Sequence, residues 1–197
     1  MAAVLGPYTR PGGSARLRST LATIYKSRMK VQLSIERSLP VPVSANEVLA
    51  LFDDLETTIG RFPKLKKLSH LGGKRYRWDM DVIGSRIANI AHNVSYGAEY
   101  HINPQAGELR WTALPDVGNA RIEGAFRVRE AAGGATLSFQ VRGELHDVPV
   151  PLVYRLVAPA FIQGKFTALV DRFLEQTRTA LQEAPATKKP SRKKAAG

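Results

Sequence analysis

The sequence contains no cysteine. That excludes a disulfide framework, a thiolate zinc site and a cysteine nucleophile, and nothing in the chain demands an oxidising compartment. It also lacks any run of eighteen apolar residues, so no transmembrane helix is expected. The longest apolar stretch, Val148 to Ile162, is broken by Arg155 and three prolines. The first 28 residues lack the apolar core of a secretory signal. No Gly-x-Ser-x-Gly elbow and no P-loop occurs. Histidines number four: His70, His92, His101 and His146. His92 and His101 lie an odd number of residues apart on one predicted strand, so they point to opposite faces and cannot share a metal unless the strand bulges between them. Neither a metal site nor a cofactor is expected.

What is present in excess is positive charge, +12 over 197 residues. Its location decides its meaning. Residues 1–30 carry Arg10, Arg16, Arg18, Lys26, Arg28 and Lys30 without an acid. Residues 185–197 carry Lys188, Lys189, Arg192, Lys193 and Lys194, again without an acid. The +6 and +5 of these ends leave +1 for residues 31–184. A nearly neutral folded part argues against a specific nucleic-acid groove. The expected contact of the basic ends is weak and with anionic membrane surfaces.

Residues 1–28 read as a basic N-terminal extension and residues 184–197 as a disordered tail. The first segment, rich in arginine and hydroxyl residues, is compatible with an organelle transit peptide. The favoured reading is a loose extension with Met29 as an alternative start, and hence a cytoplasmic protein.

Between these ends the hydrophobic period changes in a definite order. Val31, Leu33 and Ile35 alternate with polar residues, which predicts a strand ended by Pro40 and Pro42. Ser44 followed by Glu47 is a capping box, and Val48, Leu51, Phe52 and Leu55 give one apolar helical face. A second short helix is predicted to run to about Arg61. Gly72-Gly73 joins two extended arms, the second placing Tyr76, Trp78, Met80 and Val82 on one face. Residues 87–102 are predicted to form one long strand with Ile90, His92, Val94, Tyr96, Ala98, Tyr100 and Ile102 on its inner face. Strands through Trp111, Phe126 and Phe139 follow. After Val148-Pro149-Val150-Pro151 the period becomes helical, with Ile162, Phe166, Leu169, Val170 and Phe173 on one stripe.

The predicted fold class is therefore α+β: a curved antiparallel sheet of about seven strands, in β-α-α-β6-α order, wrapped around a long C-terminal helix over residues 29–183. This order, together with Val41-Pro42-Val43-Ser44-Ala45-Asn46-Glu47-Val48, Tyr76-Arg77-Trp78, Glu108-Leu109-Arg110-Trp111, Gly124-Ala125-Phe126-Arg127-Val128 and Gly133-Gly134-Ala135-Thr136-Leu137-Ser138-Phe139, resembles the START-like helix-grip superfamily, also called SRPBCC. Within it the chain looks like the polyketide cyclase/dehydrase-type proteins. The resemblance implies a hydrophobic small-molecule ligand and leaves the activity open. It includes oxygenase subunits that need iron, whose ligands this chain lacks.

Expected ligand contacts on the apolar face are Tyr76, Trp78, Met80, His92, Tyr96, Trp111, Phe166 and Phe173. The first reading is a carrier of a lipid-like, isoprenoid or aromatic molecule. The alternative is a metal-free cyclase or aromatase in which His92 acts with Tyr96 or Tyr100 as acid and base. For His92 a core histidine bonded to a carbonyl is the favoured reading, and for the tyrosines and tryptophans, packing. Asp79 and Asp81 share their strand face with Arg75 and Arg77 and read as solvated charge.

Overall fold

A computed structural model describes residues 26–85 and 90–183. Nine strands and three α-helices follow in the order β1 (Lys26–Val41), α1 (Ala45–Ala50), α2 (Leu55–Gly60), β2 (Leu65–His70), β3 (Arg75–Met80), β4 (Ile83–Ser85), β5 (Ile90–His92), β6 (Ser95–Asn103), β7 (Glu108–Gly118), β8 (Ala120–Ala131), β9 (Gly134–Pro151) and α3 (Ala158–Glu183). Seven strands form one antiparallel sheet ordered β1-β9-β8-β7-β6-β3-β2, and β4 and β5 form a separate hairpin. This is the α+β architecture expected, with the first strand returning to pair with the last.

Local chemistry sets several of these boundaries. The Ser44 hydroxyl accepts from the Glu47 amide while the Glu47 carboxylate accepts from the Ser44 amide, so two orphan donors at the start of α1 are satisfied. Asp54 caps α2 through the Thr57 amide. Gly72 and Gly73 turn the β2–β3 hairpin at φ of 96° and 59°, a region costly for any side chain.

The core lies between the concave sheet face and α3. That helix buries Ala158, Ile162, Phe166, Val170, Phe173, Leu174, Thr177 and Leu181, one stripe at helical spacing. At the β1 edge of the sheet, Gln163 of α3 donates to the Ser34 carbonyl at 2.7 Å and accepts from the Ser34 amide at 3.2 Å. Its amide thus pairs with an edge strand as another strand would. Arg37 reaches from the same edge to Asp171 at 2.6 Å.

Four expectations need correction. The first strand starts at Lys26, pairing Lys26, Ser27 and Arg28 with Pro151, Val150 and Pro149, so three residues assigned to the N-terminal extension belong to the sheet. The stretch Val148 to Pro151 is the end of β9 rather than a break. Past Leu145 strand β8 has ended, leaving β1 as its neighbour in the sheet, and there prolines without N–H groups are tolerated. Of the long strand expected over 87–102, residues 87–89 lie outside the described residues and the rest forms two strands of different sheets, with Asn93 and Val94 between them. Val82 leaves the apolar face of β3, being 50% exposed beyond the strand's last residue. Residues 1–25 and 184–197, on which the transit-peptide and tail readings fall, lie outside the described residues.

Candidate functional site

Six strands, two helices and the connection after α2 converge on one apolar space. From β3 come Trp78 and Met80, from β6 Tyr96 and Tyr100, and from β7 Trp111. Phe126 of β8 and Phe139 of β9 close the floor. Helix α3 lays Phe166, Val170 and Phe173 across the opening, and Ile59 and Phe62 cover one end. Leu33 and Ile35 of β1 complete the wall. Among the described residues no charged side chain lines this cavity.

The aromatic rings form a continuous belt. Phe126 and Phe139 have centroids 4.8 Å apart, Phe62 meets Phe173 at 5.2 Å, and Phe62 meets Trp78 edge-on at 5.6 Å. Trp78 and Tyr96 are directly opposed in the β3–β6 register and stack at 5.4 Å with 19° between planes. Offset and edge contacts of this kind are favourable arrangements of ring quadrupoles and stiffen the wall they form.

The free space is about 60 Å³. Ligand cavities commonly run to roughly 300–1,000 Å³, so this space is small. A ring-sized guest therefore requires the wall to move. Met80 has the flexible thioether chain suited to yielding, and Phe62, on the half-buried connection after α2, packs its ring on Trp78 and Phe173.

Two phenols bring polarity into this space. Tyr100 accepts a hydrogen bond from the Trp78 indole at 3.0 Å. The Tyr96 side chain is likewise buried. Burial pushes both phenols well above the ordinary tyrosine range, so each is a neutral O–H donor at physiological pH and not a base.

Six of the eight residues expected to contact ligand line the cavity: Trp78, Met80, Tyr96, Trp111, Phe166 and Phe173. Two do not. Tyr76 shares the inward face of β3 but sits beyond the belt, against Tyr100 and His70. His92 lies on the β4–β5 hairpin, opposite Ile83, with β5 against β9. Its Nε2 is buried without a partner among the described residues, and desolvation holds its pKa below the ordinary value despite the nearby Asp147. It is neither the carbonyl-satisfied core histidine expected nor a neighbour of Tyr96 in the cavity wall. Asp79 is held by the Arg77 guanidinium at 3.0 Å on the outer face, as expected for paired surface charge. Among the described residues no cluster of His, Cys, Asp or Glu is arranged to hold a metal ion, and no helix is long and apolar enough to cross a membrane.

The pattern search missed Phe62 and Ile59. The signal was available, since Leu55, Ile59 and Phe62 follow i, i+4, i+7 spacing into the turn before Pro63.

Comparison with known proteins places this geometry. No protein-family model matches the sequence, and no curated protein matches it. Solved structures do. The ZhuI aromatase/cyclase from Streptomyces sp. R1128 superposes with a TM-score of 0.53 at 14% identity, covering 77% of this chain and 94% of its own. A START superfamily protein from Mycobacterium smegmatis gives 0.54 at 15% identity, over 75% and 98%. The KanY protein gives 0.55 at 13% identity, over 77% and 98%. The chain has the START-like helix-grip fold, a curved antiparallel sheet closed by a long C-terminal helix. At these identities the likeness concerns the fold alone.

Proposed function

We propose that the domain binds a neutral hydrophobic small molecule, aromatic or polyene in shape, between the sheet and α3. The observation that carries this reading is the aromatic cavity itself, an apolar wall with two buried phenols, Tyr96 and Tyr100. A ligand carbonyl or hydroxyl in the cavity would accept from the neutral Tyr96 O–H. The absence of a lining charge disfavours free carboxylates, whose desolvation nothing there offsets. The protein is read as a carrier or receptor rather than an enzyme, because the two groups considered for acid–base work stand in different places. His92 lies outside the cavity wall, which leaves the neutral phenols Tyr96 and Tyr100 in it. A cyclase of the kind found among the structural neighbours would need to act through those phenols and positioning alone.

The experiment is native mass spectrometry of the freshly purified full chain, followed by solvent extraction. A bound neutral apolar species, lost from Tyr96→Ala preparations that remain folded, is expected. A protein free of adducts that also takes up no polycyclic aromatic or isoprenoid probe contradicts the reading.

A further inference from the structure

Between the end of β9 and the start of α3 the chain turns over Leu152, Val153, Tyr154, Arg155, Leu156 and Val157, and all six are exposed. Leu152–Tyr154 form a single 3₁₀ turn with no buried residue. Val153 is 83% and Leu156 95% exposed. Scattered exposed aliphatics are ordinary, but five large apolar residues in six consecutive positions are not, and such a patch marks a contact surface.

The charge beside this turn is mainly positive, with Asp147 the nearest acid along the chain. From residue 148 to 170 the charged residues are Arg155 and Lys165, and from 26 to 35 they are Lys26, Arg28 and Lys30. These segments are neighbours because Lys26 pairs with Pro151 and Arg28 with Pro149, which brings the start of β1 to the foot of the turn. Lys30 is engaged by Glu144 at 2.9 Å, whereas the Arg28 and Arg155 side chains are exposed. The chain before Lys26, whose charges are Arg10, Arg16 and Arg18, joins the fold at the same point. An apolar tip with a basic rim is complementary to one kind of surface, an anionic bilayer. There the aliphatic side chains enter the acyl boundary and the cations meet headgroup phosphates.

We infer that Leu152–Val157 is a membrane-insertion turn that docks the domain on anionic lipid. This goes beyond weak contact by basic ends, since it assigns the binding to apolar insertion at a defined point of the fold. It stands independently of what the cavity holds.

The test uses the full chain and vesicles of phosphatidylcholine with or without phosphatidylglycerol. Val153→Asp combined with Leu156→Asp should lower partitioning onto the anionic vesicles by roughly tenfold or more, with the basic ends intact. In a second variant, Leu156→Trp, the introduced indole should shift its emission to the blue on anionic vesicles and be quenched by brominated acyl chains. Trp78 and Trp111, buried in the core, should not respond. Equal binding by the double variant, or an indole that stays in water while the protein sediments with vesicles, would assign binding to the basic ends and overturn the inference. An indole already shielded before lipid is added would show that protein covers the turn, with the same consequence. So would failure of the full chain to bind anionic vesicles.

Discussion

The indole N–H of Trp78 donates to the Tyr100 hydroxyl at 3.0 Å, four residues along β6 from its direct cross-strand partner Tyr96, while the face of the same indole stacks on Tyr96. One tryptophan thus engages two phenols differently, one as a hydrogen-bond acceptor and the other through its ring. The two tyrosines should answer differently to the same deletion. Tyr100→Phe strands a buried N–H and should cost about 1–3 kcal/mol in denaturant unfolding. Tyr96→Phe should leave stability unchanged or slightly raised, yet weaken ligand binding. Equal losses of stability in both variants would refute this division.

Trp111 packs across Gly124, its direct partner in the β7–β8 register. A Cβ at Gly124 would collide with the Trp111 ring and with the Gln140 carbonyl. Gly124→Ala should therefore destabilise the fold by about 1–3 kcal/mol, the usual range for overpacking, and shift Trp111 emission. An unchanged unfolding midpoint and spectrum would mean that the strand relaxes freely there.

The capping box at α1 supports a short helix whose following Phe52 packs on Phe126 at 5.6 Å. Ser44→Ala should cost about 1 kcal/mol. Glu47→Gln should cost less, since an amide oxygen still accepts from the Ser44 backbone. The same hydrogen bonds from Ser44 hold the Glu47 carboxyl below its ordinary range, so its contribution is present above the unfolded carboxylate pKa and fades only in acid.

His92 gives a separate signature in pH. Burial lowers its pKa beneath the ordinary value of 6.5, so the folded state prefers the neutral ring. The unfolded chain then binds the proton more readily. The contribution is complete above about pH 6.5 and is lost as pH falls towards the folded-state value. Thermal unfolding measured from about pH 7.5 to about pH 5 should show this loss, and His92→Gln should flatten it. An identical slope in the variant would place the titration elsewhere.

Where the determinants are local, the sequence was legible. Ser44 with Glu47, Gly72 with Gly73, and the α3 stripe each announce their element within one turn or hairpin. The placement of His92 was not legible, because parity counting assumes an unbroken strand. The break at Asn93–Val94 is held from a distance: Asn119 donates to the Asn93 carbonyl at 2.7 Å and accepts from the Ser95 amide at 2.9 Å. Gly118, at φ 84°, lies close against Ser95 and leaves no room for a side chain. Nothing near His92 in the chain signals that clamp. The continuation of β9 through Pro149 and Pro151 was likewise hidden, since it depends on which neighbour has ended. For the cavity, periodicity gave the wall correctly for Trp78, Met80, Tyr96, Trp111, Phe166 and Phe173. It does not report how nearly those side chains fill the space.

The most direct test of the account is methyl NMR of the full chain titrated with a neutral polycyclic aromatic. Binding between sheet and helix predicts shifts centred on Leu33, Ile35, Ile59, Met80 and Val170, with ring-current signs that reverse little when the basic ends are screened by salt. Shifts confined to Val153, Leu156 and Val157, or none at all at saturating probe, would contradict it.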